Sequence, residues 1–331
     1  MNSQPTLLLR RSEVAELLTM DACIASVEQA FWLHGKGKAA TPGVLAVHLE
    51  NGGFHIKAGV LGLSRSYFAA KVNANFPQNR ERHGLPTIQG VIVLCDGANG
   101  KPLAVMDSME ITAQRTAAAT AVAAKYLARL ESGVITICGC GSQGRVQLRA
   151  LRRVLPVRKV YACDRDSDHA RCFAREMSTE LQVDIEAVSQ AGDAASRSYV
   201  CVTCTTSLKP VLAAEHIRPG TFIAAVGADS PEKQELHPAL MAAGKVVTDL
   251  TEQCAAFGDL HHAIAAGVMK REDVHAELGE VVAGRKSGRT SPEEITIFDS
   301  TGMALQDVAA AALVYGKAVT AKCGLTLDLA A

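Results

Sequence analysis

A glycine-rich turn near the middle of the chain carries the most specific chemical signal. Gly139, Gly141 and Gly144 form a G-x-G-x-x-G pattern that follows the strand-like run VITIC and opens a helical run. The first glycine permits a tight turn, the second lets the backbone approach a pyrophosphate, and the third allows close packing of helix on strand. The helix N-terminus, beginning at Ser142 and Gln143, then offers N–H donors to the anion. The pattern predicts a dinucleotide-binding site.

The residues after the second predicted strand indicate which dinucleotide binds. Asp164 lies 20 residues beyond Gly144, where a carboxylate accepts hydrogen bonds from the adenosine ribose hydroxyls. This carboxylate repels the 2′-phosphate of NADP, whereas the adjacent Arg165 attracts it. The position of the carboxylate favours NAD as the cofactor, and NADP stays open.

Three more charged residues lie where they can bind a small anion or move a proton. Arg115 is near the start of an Ala-rich helix, and its planar fork suits a bidentate carboxylate, although a surface pair with Glu110 is the alternative. Lys71 lies among small apolar residues of a predicted strand, where a solvated edge lysine is the usual interpretation. Asp229 follows the strand TFIAAV, at the end where parallel sheets bind ligands, although a loop N-cap also fits.

The elements that must position these residues fall into two groups. The first third begins with helical runs to about residue 35 and continues with β-prone runs at 44–49, 53–59, 67–74, 88–94 and 103–107, which predicts an α+β domain on an antiparallel sheet. Residues 111–130 are Ala-rich, lack Gly and Pro, and predict one long helix that bridges two domains. Strand-like and helical runs then alternate up to Asp249, which is typical of a parallel sheet covered by helices.

Length and composition set the broad class. The 331 residues correspond to about two domains, and the 48% apolar content allows two substantial cores. Lys plus Arg (34) equal Asp plus Glu (34), so no net positive charge favours binding to nucleic acid. Ten scattered cysteines, no signal-peptide pattern and no long apolar run predict a soluble cytoplasmic protein with reduced thiols. Neither Cys201 with Cys204 nor the histidines have metal-site spacing, so no metal is expected.

Several segments in the same order resemble the ornithine cyclodeaminase/mu-crystallin family over nearly the whole chain. They are FAAKVNAN (68–75), GLPTIQG (84–90), LAVMDSMEITAQRTAA (103–118), GCGSQG (139–144), VGADSPEKQEL (226–236), DVHAELGEVVAG (273–284) and FDSTGMALQDV (298–308). The motifs are closest to the archaeal-type alanine dehydrogenase and imino-acid reductase members. The family also contains an NAD-dependent cyclodeaminase and a crystallin that binds NADPH.

The resemblance implies a division of the chain and a set of site residues. It implies a Rossmann NAD(P)-binding domain at 116–304 and a substrate-binding and dimerisation domain at 1–115 with 305–331, so a homodimer is expected. It also implies that Arg115 binds the substrate carboxylate, that Lys71 is a cation in contact with substrate, and that Asp229 transfers a proton. Cofactor contacts are implied at Thr87, Thr116, Gly139, Gly141, Ser142, Gln143, Gly144, Asp164, Arg165, Thr205, Val226, Gly227 and Ser300.

The sequence departs from the family near the second strand. Enzymes of the family often carry an arginine near residues 40–46, or an arginine or glutamate near position 55; here the nearest candidates are His55 and Lys57. These two share one face of a strand, so both can enter a substrate site, or both can lie on a solvated outer face. Loss of the glutamate disfavours ornithine cyclodeaminase, because the substrate ammonium then lacks an anionic partner.

Together these residues predict an NAD(H)-dependent reductase of a small imino acid. Arg115, together with Lys71 and Lys57, would bind the substrate carboxylate that is attached to the imine carbon. Asp229 would protonate the nitrogen, with a pKa raised from about 3.9 by a partly desolvated cleft. The excess of cationic candidates favours iminosuccinate, which gives aspartate; a cyclic ketimine such as pyrroline-2-carboxylate, which gives proline, stays open. So do an alanine dehydrogenase, an ornithine cyclodeaminase and a crystallin-like protein without turnover, although Asp229 disfavours the last.

Overall fold

The computed structural model describes residues 5–40 and 42–329, which divide into two compact units. One unit runs to Arg115 and resumes at Met303; the other is Thr116–Gly302. The boundary falls inside one helix, so the consecutive residues Arg115 and Thr116 belong to different units. The predicted α/β class, a Rossmann-type parallel sheet with a second α+β unit, is confirmed.

The first unit is built on a seven-stranded sheet in the order β17-β1-β6-β5-β4-β3-β2. Strands β1 and β6 are parallel, and the other neighbours are antiparallel. In chain order the elements are β1 (Thr6–Leu9), α1 (Arg11–Leu17), α2 (Met20–Gly35), β2 (Gly43–Leu49), β3 (Gly52–Gly62), β4 (Ser66–Asn75), α3 (Asn79–His83), β5 (Ile88–Asp96), β6 (Pro102–Asp107), the first part of α4 (Ser108–Leu127), α12 (Ala304–Ala321) and β17 (Leu325–Leu327).

Helix α12 returns from the far end of the chain to pack on strands β3 and β4. Gly59 permits this close approach, because a Cβ at that position would lie 3.1 Å from the Leu305 side chain. The first turn of α12, which contains Asp307, is therefore held against one face of the sheet. The sequence patterns did not predict β1, whose partners β6 and β17 lie far along the chain.

The second unit contains an eight-stranded parallel sheet in the order β15 (Ala276–Glu277), β14 (Lys245–Thr248), β16 (Thr296–Asp299), β12 (Phe222–Ala225), β10 (Val200–Thr203), β7 (Val134–Cys138), β8 (Lys159–Cys163) and β9 (Asp184–Val188). Strands β10, β12 and β16 are buried along their whole length, as expected for a sheet covered on both faces. The chain order reverses between β7 and β10, and open sheets bind ligands at such a switch point, outside the carboxyl ends of the strands. No helix in the described part of the chain is both long and apolar enough to cross a bilayer.

The remaining elements of this unit follow the end of α4. They are β7 (Val134–Cys138), α5 (Ser142–Val154), β8 (Lys159–Cys163), α6 (Ser167–Leu181), β9 (Asp184–Val188), α7 (Ala191–Ser196), β10 (Val200–Thr203), β11 (Leu208–Leu212), β12 (Phe222–Ala225), β13 (Gln234–Leu236), α8 (Pro238–Ala243), β14 (Lys245–Thr248), α9 (Thr251–Phe257), α10 (Asp259–Ala265), β15 (Ala276–Glu277), α11 (Leu278–Val282) and β16 (Thr296–Asp299). Strands β11 and β13 form a separate parallel pair.

Candidate active site

The glycine-rich loop joins β7 to α5 with the geometry that dinucleotide binding requires. Gly139 has a left-handed φ of +104°, and a Cβ there would lie 2.7 Å from the Cys204 carbonyl oxygen. A Cβ at Gly144 would collide with the Gly139 carbonyl oxygen, so only glycine lets α5 pack this closely. Around Gly141, by contrast, no atom lies within 4 Å of the Cβ position, which leaves room for a pyrophosphate to approach the backbone.

Asp164 follows β8 and borders the glycine-rich loop. Its Oδ2 accepts the backbone N–H of Cys140 at 2.7 Å, and its Oδ1 accepts that of Asp166 at 3.0 Å. A cavity of about 620 Å³ opens beside it, lined among others by Gly139, Gly141, Asp164, Arg165, Gln190 and Thr205. A cavity of this volume can hold a nucleotide, and the residues present therefore fit a dinucleotide cofactor.

Several implied cofactor contacts lie together at the carboxyl edge of the parallel sheet. Strands β10, β12 and β16 are neighbours, and Thr205, Gly227 and Ser300 lie within two residues of their carboxyl ends. The other implied contacts are Val226 beside Gly227, Ser142 and Gln143 in the first turn of α5, Thr116 in α4, and Thr87 in the first unit just before β5. Most of the implied cofactor residues thus share one edge of the second unit.

Lys71, Arg115 and Asp307 form a buried ionic cluster in the first unit. The Lys71 Nζ lies 2.8 Å from one Asp307 carboxylate oxygen, and Arg115 Nε donates to the other at 3.0 Å. Arg115 Nη1 also donates to Gln306 Oε1 at 2.9 Å. The three charged side chains are 6% exposed or less. Arg115 is therefore a buried residue paired with α12, and the alternative surface pair with Glu110 does not form.

Lys57 adds a second lysine to this cluster. The register of β3 and β4 places Lys57 directly opposite Lys71, so both side chains lie on the same face of the sheet. Lys57 is 7% exposed. Two like charges directly opposite each other destabilise a strand pair. Lys57, Lys71 and Arg115 all stabilise the ionised Asp307 carboxylate, and such a group of cations would also attract a bound anion.

Burial determines the pH at which Lys71 loses its charge. Burial, reinforced by the positive charge of Arg115 and opposed by Asp307, lowers the pKa of Lys71 from 10.5 to about 7. Burial acts against ionisation of Asp307 too, but the charges of Lys71 and Arg115 outweigh it and lower the pKa of that carboxyl. Asp307 is therefore ionised at neutral pH, whereas the charge of Lys71 changes there.

The start of α4 directs a row of polar side chains toward β4. Ser108, Thr112 and Arg115 recur at spacings of four and three, which places them on one face of the helix. Ser108 Oγ donates to Asn73 Oδ1 at 2.6 Å, and Asn73 Nδ2 lies 3.5 Å from Thr112 Oγ1. Gly90 on β5 makes room for this contact, because a Cβ there would collide with Asn73 Oδ1. An amide and a hydroxyl thus flank the ionic cluster.

His55 lies on the same strand face as Lys57. It is half-buried, its backbone pairs with that of Asn73 in β4, and its ring meets His48 edge-on with 6.3 Å between the centroids. The predicted sharing of one face by residues 55 and 57 is thus observed, and at Lys57 this face is buried rather than solvated.

Asp229 lies in the second unit, on the loop that follows β12. Its side chain is 52% exposed, and its Oδ1 lies 2.6 Å from the Nζ of Lys233. Within residues 116–302, Asp229 therefore meets solvent and a cation instead of the desolvated cleft that its sequence context predicts.

The cysteines and histidines outside these clusters have structural contacts. All ten cysteines are free thiols; Cys201 is fully buried in β10, and the Cys204 thiol lies 3.2 Å from the Gly139 carbonyl oxygen. The His237 ring accepts the Ala239 N–H as the N-cap of α8. Across residues 5–40 and 42–329, no group of three or more His, Cys, Asp or Glu residues is arranged to hold a metal ion.

Comparison with known proteins settles which family these two units represent. The profile of the ornithine cyclodeaminase/mu-crystallin family matches residues 4–322. The chain belongs to this family. The resemblance that the sequence motifs indicate is thereby confirmed.

Three solved structures are similar to this member of the ornithine cyclodeaminase/mu-crystallin family. An archaeal alanine dehydrogenase dimer with bound NAD is 41% identical, with a TM-score of 0.93 over 98% of this chain and 99% of that chain. The Δ1-pyrroline-2-carboxylate reductase of Thermococcus litoralis, in complex with NADH and L-proline, is 36% identical (TM-score 0.92; 97% and 100% covered). The iminosuccinate reductase of Paracoccus denitrificans, in complex with NAD+, is 33% identical (TM-score 0.89; 98% and 100% covered).

Three polar residues of the cluster, Asp307, Gln306 and Asn73, were not among the candidate site residues predicted from the sequence. Asp307 and Gln306 lie in the segment FDSTGMALQDV, and Asn73 lies in FAAKVNAN, so the family motifs contain all three without assigning them a role. Their contacts join residues 192, 191 and 35 positions apart in the chain. Local periodicity carries no signal for such pairs.

Proposed function

We propose that this chain is an NAD(H)-dependent oxidoreductase that reduces a small imino acid to an L-amino acid, and that the reverse oxidation also occurs. The observation that carries the proposal is the buried cluster of Lys57, Lys71 and Arg115 around one carboxylate, Asp307. This cluster suits a carboxylate-bearing substrate, since a carboxylate matches the guanidinium fork and is attracted by the cationic side chains. The dinucleotide, when bound, supplies the hydride for the imine carbon.

Each group has a defined part in this reaction. Arg115 and Lys71, with Lys57, bind the substrate carboxylate and so fix the position of the adjacent imine carbon. His55 contributes a hydrogen bond on the same strand face. Asp229 delivers the proton that the imine nitrogen gains when the adjacent carbon is reduced.

The cofactor contacts are proposed for the second unit, apart from Thr87. Gly139, Gly141 and Gly144, with the N–H groups of Ser142 and Gln143, hold the pyrophosphate. Asp164 binds the adenosine ribose and favours NAD over NADP, although Arg165 lies beside it. The remaining contacts are Thr87, Thr116, Thr205, Val226, Gly227 and Ser300. The bound NAD or NADH of the three similar structures supports this assignment.

The excess of cations supports a substrate with two carboxylates. Iminosuccinate, which gives aspartate, is therefore the preferred substrate, and a second carboxylate would be bound by Lys57 and His55. Two other substrates carry one carboxylate and need one cationic binding site. They are pyrroline-2-carboxylate, which gives proline, and pyruvate with ammonia, which gives alanine. Ornithine is disfavoured as a substrate because Lys57 and His55, rather than an acid, lie near the position where its ammonium needs an anionic partner.

NADH and NADPH oxidation with each imine in turn tests the proposal. We expect turnover with NADH, fastest with iminosuccinate generated in the assay from oxaloacetate and ammonia. Absence of turnover with every imine, together with release of ammonia from ornithine without net change in NADH, would identify a cyclodeaminase instead. Binding of NADPH without turnover of any substrate would indicate a crystallin-like binding protein.

The pH dependence of kcat/KM is expected to follow Lys71. Because the pKa of Lys71 is about 7, raising the pH removes the charge that binds the carboxylate, and kcat/KM should fall by about tenfold per pH unit above that value. Lys71→Arg keeps a permanent charge, so this alkaline limb should disappear from its profile. Titration of the imine itself affects the parent enzyme and Lys71→Arg equally. If kcat/KM of Lys71→Arg still falls at alkaline pH, the fall does not come from Lys71, and Lys71 has no charge-dependent part in the reaction.

A homodimer is proposed to form through the outer face of the first unit's sheet. Leu45 and Val47 on β2, Phe54 on β3 and Val91 on β5 share the face opposite Lys57, and Leu45 is 57% exposed. An apolar face of this kind is typical of a protein interface, and a second copy of the chain is the occupant we propose. The archaeal alanine dehydrogenase, which is similar along the whole chain, is a dimer.

Charge placed on this face should separate the protomers. We expect the double variant Leu45→Glu, Val47→Glu to weaken dimerisation by at least about 100-fold, because it buries unpaired carboxylates in the interface. Size-exclusion chromatography with light scattering measures the change in mass. Leu208→Glu, at a 64% exposed leucine of the second unit, is the matched control and should leave the dimer intact. A dimeric double variant would place the interface elsewhere.

A further inference from the structure

Glu235 on β13 is a fully buried carboxyl group that joins two loops of the second unit. Its Oε1 accepts the backbone N–H of Thr205 at 2.6 Å and the Thr205 hydroxyl at 2.8 Å. Its Oε2 accepts the backbone N–H of Gly227 at 2.8 Å and the Thr203 hydroxyl at 2.8 Å. Each carboxyl oxygen therefore binds one backbone N–H and one hydroxyl.

These two backbone groups belong to neighbouring loops at the carboxyl edge of the parallel sheet. Thr205 follows β10 and Gly227 follows β12, and Asp229 lies two residues beyond Gly227. The contact is close enough to require glycine, because a Cβ at Gly227 would lie 2.5 Å from Glu235 Oε1 and 2.5 Å from the Thr205 carbonyl oxygen. The carboxyl group thus sets the separation of the two loops.

The backbone of Glu235 is itself fixed by buried acids. Asp259 Oδ1 accepts the N–H groups of Glu235 and Leu236, both at 2.8 Å, and Asp299 Oδ2 accepts the N–H of Leu260 at 2.9 Å. Burial raises the pKa of Glu235 above its ordinary value. Among the described residues its hydrogen-bond partners are neutral N–H and O–H groups, so no cation compensates for burying the acid. A group kept at such a cost to stability calls for a reason beyond packing.

We infer that Glu235 is a positioning residue for hydride and proton transfer, an inference that rests on the proposed function. By binding Thr205 and Gly227 at once, it holds the loop that contains Asp229 against the neighbouring loop of the cofactor site. The group must be a carboxylate and not an amide, because an amide has one acceptor oxygen. The NH₂ end of a glutamine would face the N–H of either Thr205 or Gly227, and two donors repel.

The test compares two acid-to-amide changes in one network. Glu235→Gln breaks one of the two loop contacts, whereas Asp259→Asn keeps its acceptor oxygen for both N–H groups, and Asp259 Oδ2 has no hydrogen-bond partner among the described residues. We expect Glu235→Gln to lower kcat by roughly 100-fold with little change in the KM for the imine, when kcat is calculated from the concentration of enzyme that binds NADH. Asp259→Asn should stay within about threefold of the parent enzyme in kcat.

A second readout does not depend on activity. In the protein without cofactor, hydrogen–deuterium exchange should accelerate in peptides containing Thr205 and Gly227 in Glu235→Gln but not in Asp259→Asn. If Glu235→Gln folds poorly, Thr203→Val removes one buried hydroxyl donor to Glu235 Oε2 and should shift exchange and kcat in the same direction by less. Equal effects of Glu235→Gln and Asp259→Asn, or unchanged exchange and kcat in Glu235→Gln, would overturn the inference. Failure of the parent enzyme to reduce any imine would instead overturn the proposed function, and the exchange measurement would still decide the role of Glu235.

Discussion

Replacing Arg115 by methionine should raise the KM for the imine by about 10²- to 10³-fold while the Kd for NADH changes by less than about threefold. Methionine keeps much of the volume of the side chain but loses the guanidinium that we propose binds the substrate carboxylate in two parallel hydrogen bonds. Arg115 Nε and Nη1 already donate to Asp307 and Gln306, so the fork is held in one orientation before substrate arrives. Preorganisation of this kind is what makes the expected loss large.

The same variant has a second expected consequence, at Lys71. The positive charge of Arg115 contributes to the lowered pKa of Lys71, so its removal should move the alkaline limb of kcat/KM to higher pH. Steady-state kinetics across pH, with NADH binding followed by fluorescence, measures both effects. Arg11→Met is the control, because Arg11 is 61% exposed and its Nε lies 3.9 Å from Glu110. Equal losses of NADH affinity and substrate affinity would place Arg115 at the cofactor instead.

The dinucleotide loop could be predicted from the sequence because its requirements are local. Gly139 needs a left-handed φ and Gly144 needs the absence of a Cβ, and both conditions are set by a turn of six residues. The parallel sheet was predictable for a similar reason, since each strand and helix carries its own hydrophobic period. A one-dimensional pattern therefore indicates this loop and most of the sheet, whereas the central strand β16 lies beyond Asp249, where the predicted alternation ends.

The ionic cluster could be predicted only in part, because it joins distant segments. Lys71 and Arg115 stand out as cations among small residues, but Asp307, which pairs with both, lies 192 positions from Arg115. Without that carboxylate the sequence overstates the free charge of the site, and it does not show the burial that lowers the pKa of Lys71. Strand β1 illustrates the same limit, since its register depends on β6 and β17 rather than on its own four residues.

Asp229 illustrates a different limit, because its position was predicted from a strand end but its environment was not. The sequence places it after β12, whereas the exposure of its carboxylate and the contact with Lys233 depend on the conformation of the loop. The catalytic role proposed for Asp229 therefore rests on its place beside Gly227 at the edge of the parallel sheet.

Asp229→Asn should lower kcat by about 10²- to 10⁴-fold with little change in the KM for the imine, because the amide keeps the shape of the side chain but cannot deliver a proton. Lys233→Met tests whether the adjacent ammonium, 2.6 Å from Asp229, is needed to hold the acid in place; its effect on kcat should be smaller than that of Asp229→Asn, because the carboxyl group remains. Single-turnover oxidation of NADH by each variant, with the same imine, measures the transfer step directly. Turnover by Asp229→Asn at the rate of the parent enzyme would show that another group supplies the proton. Lys71, with a pKa of about 7, would then be the candidate.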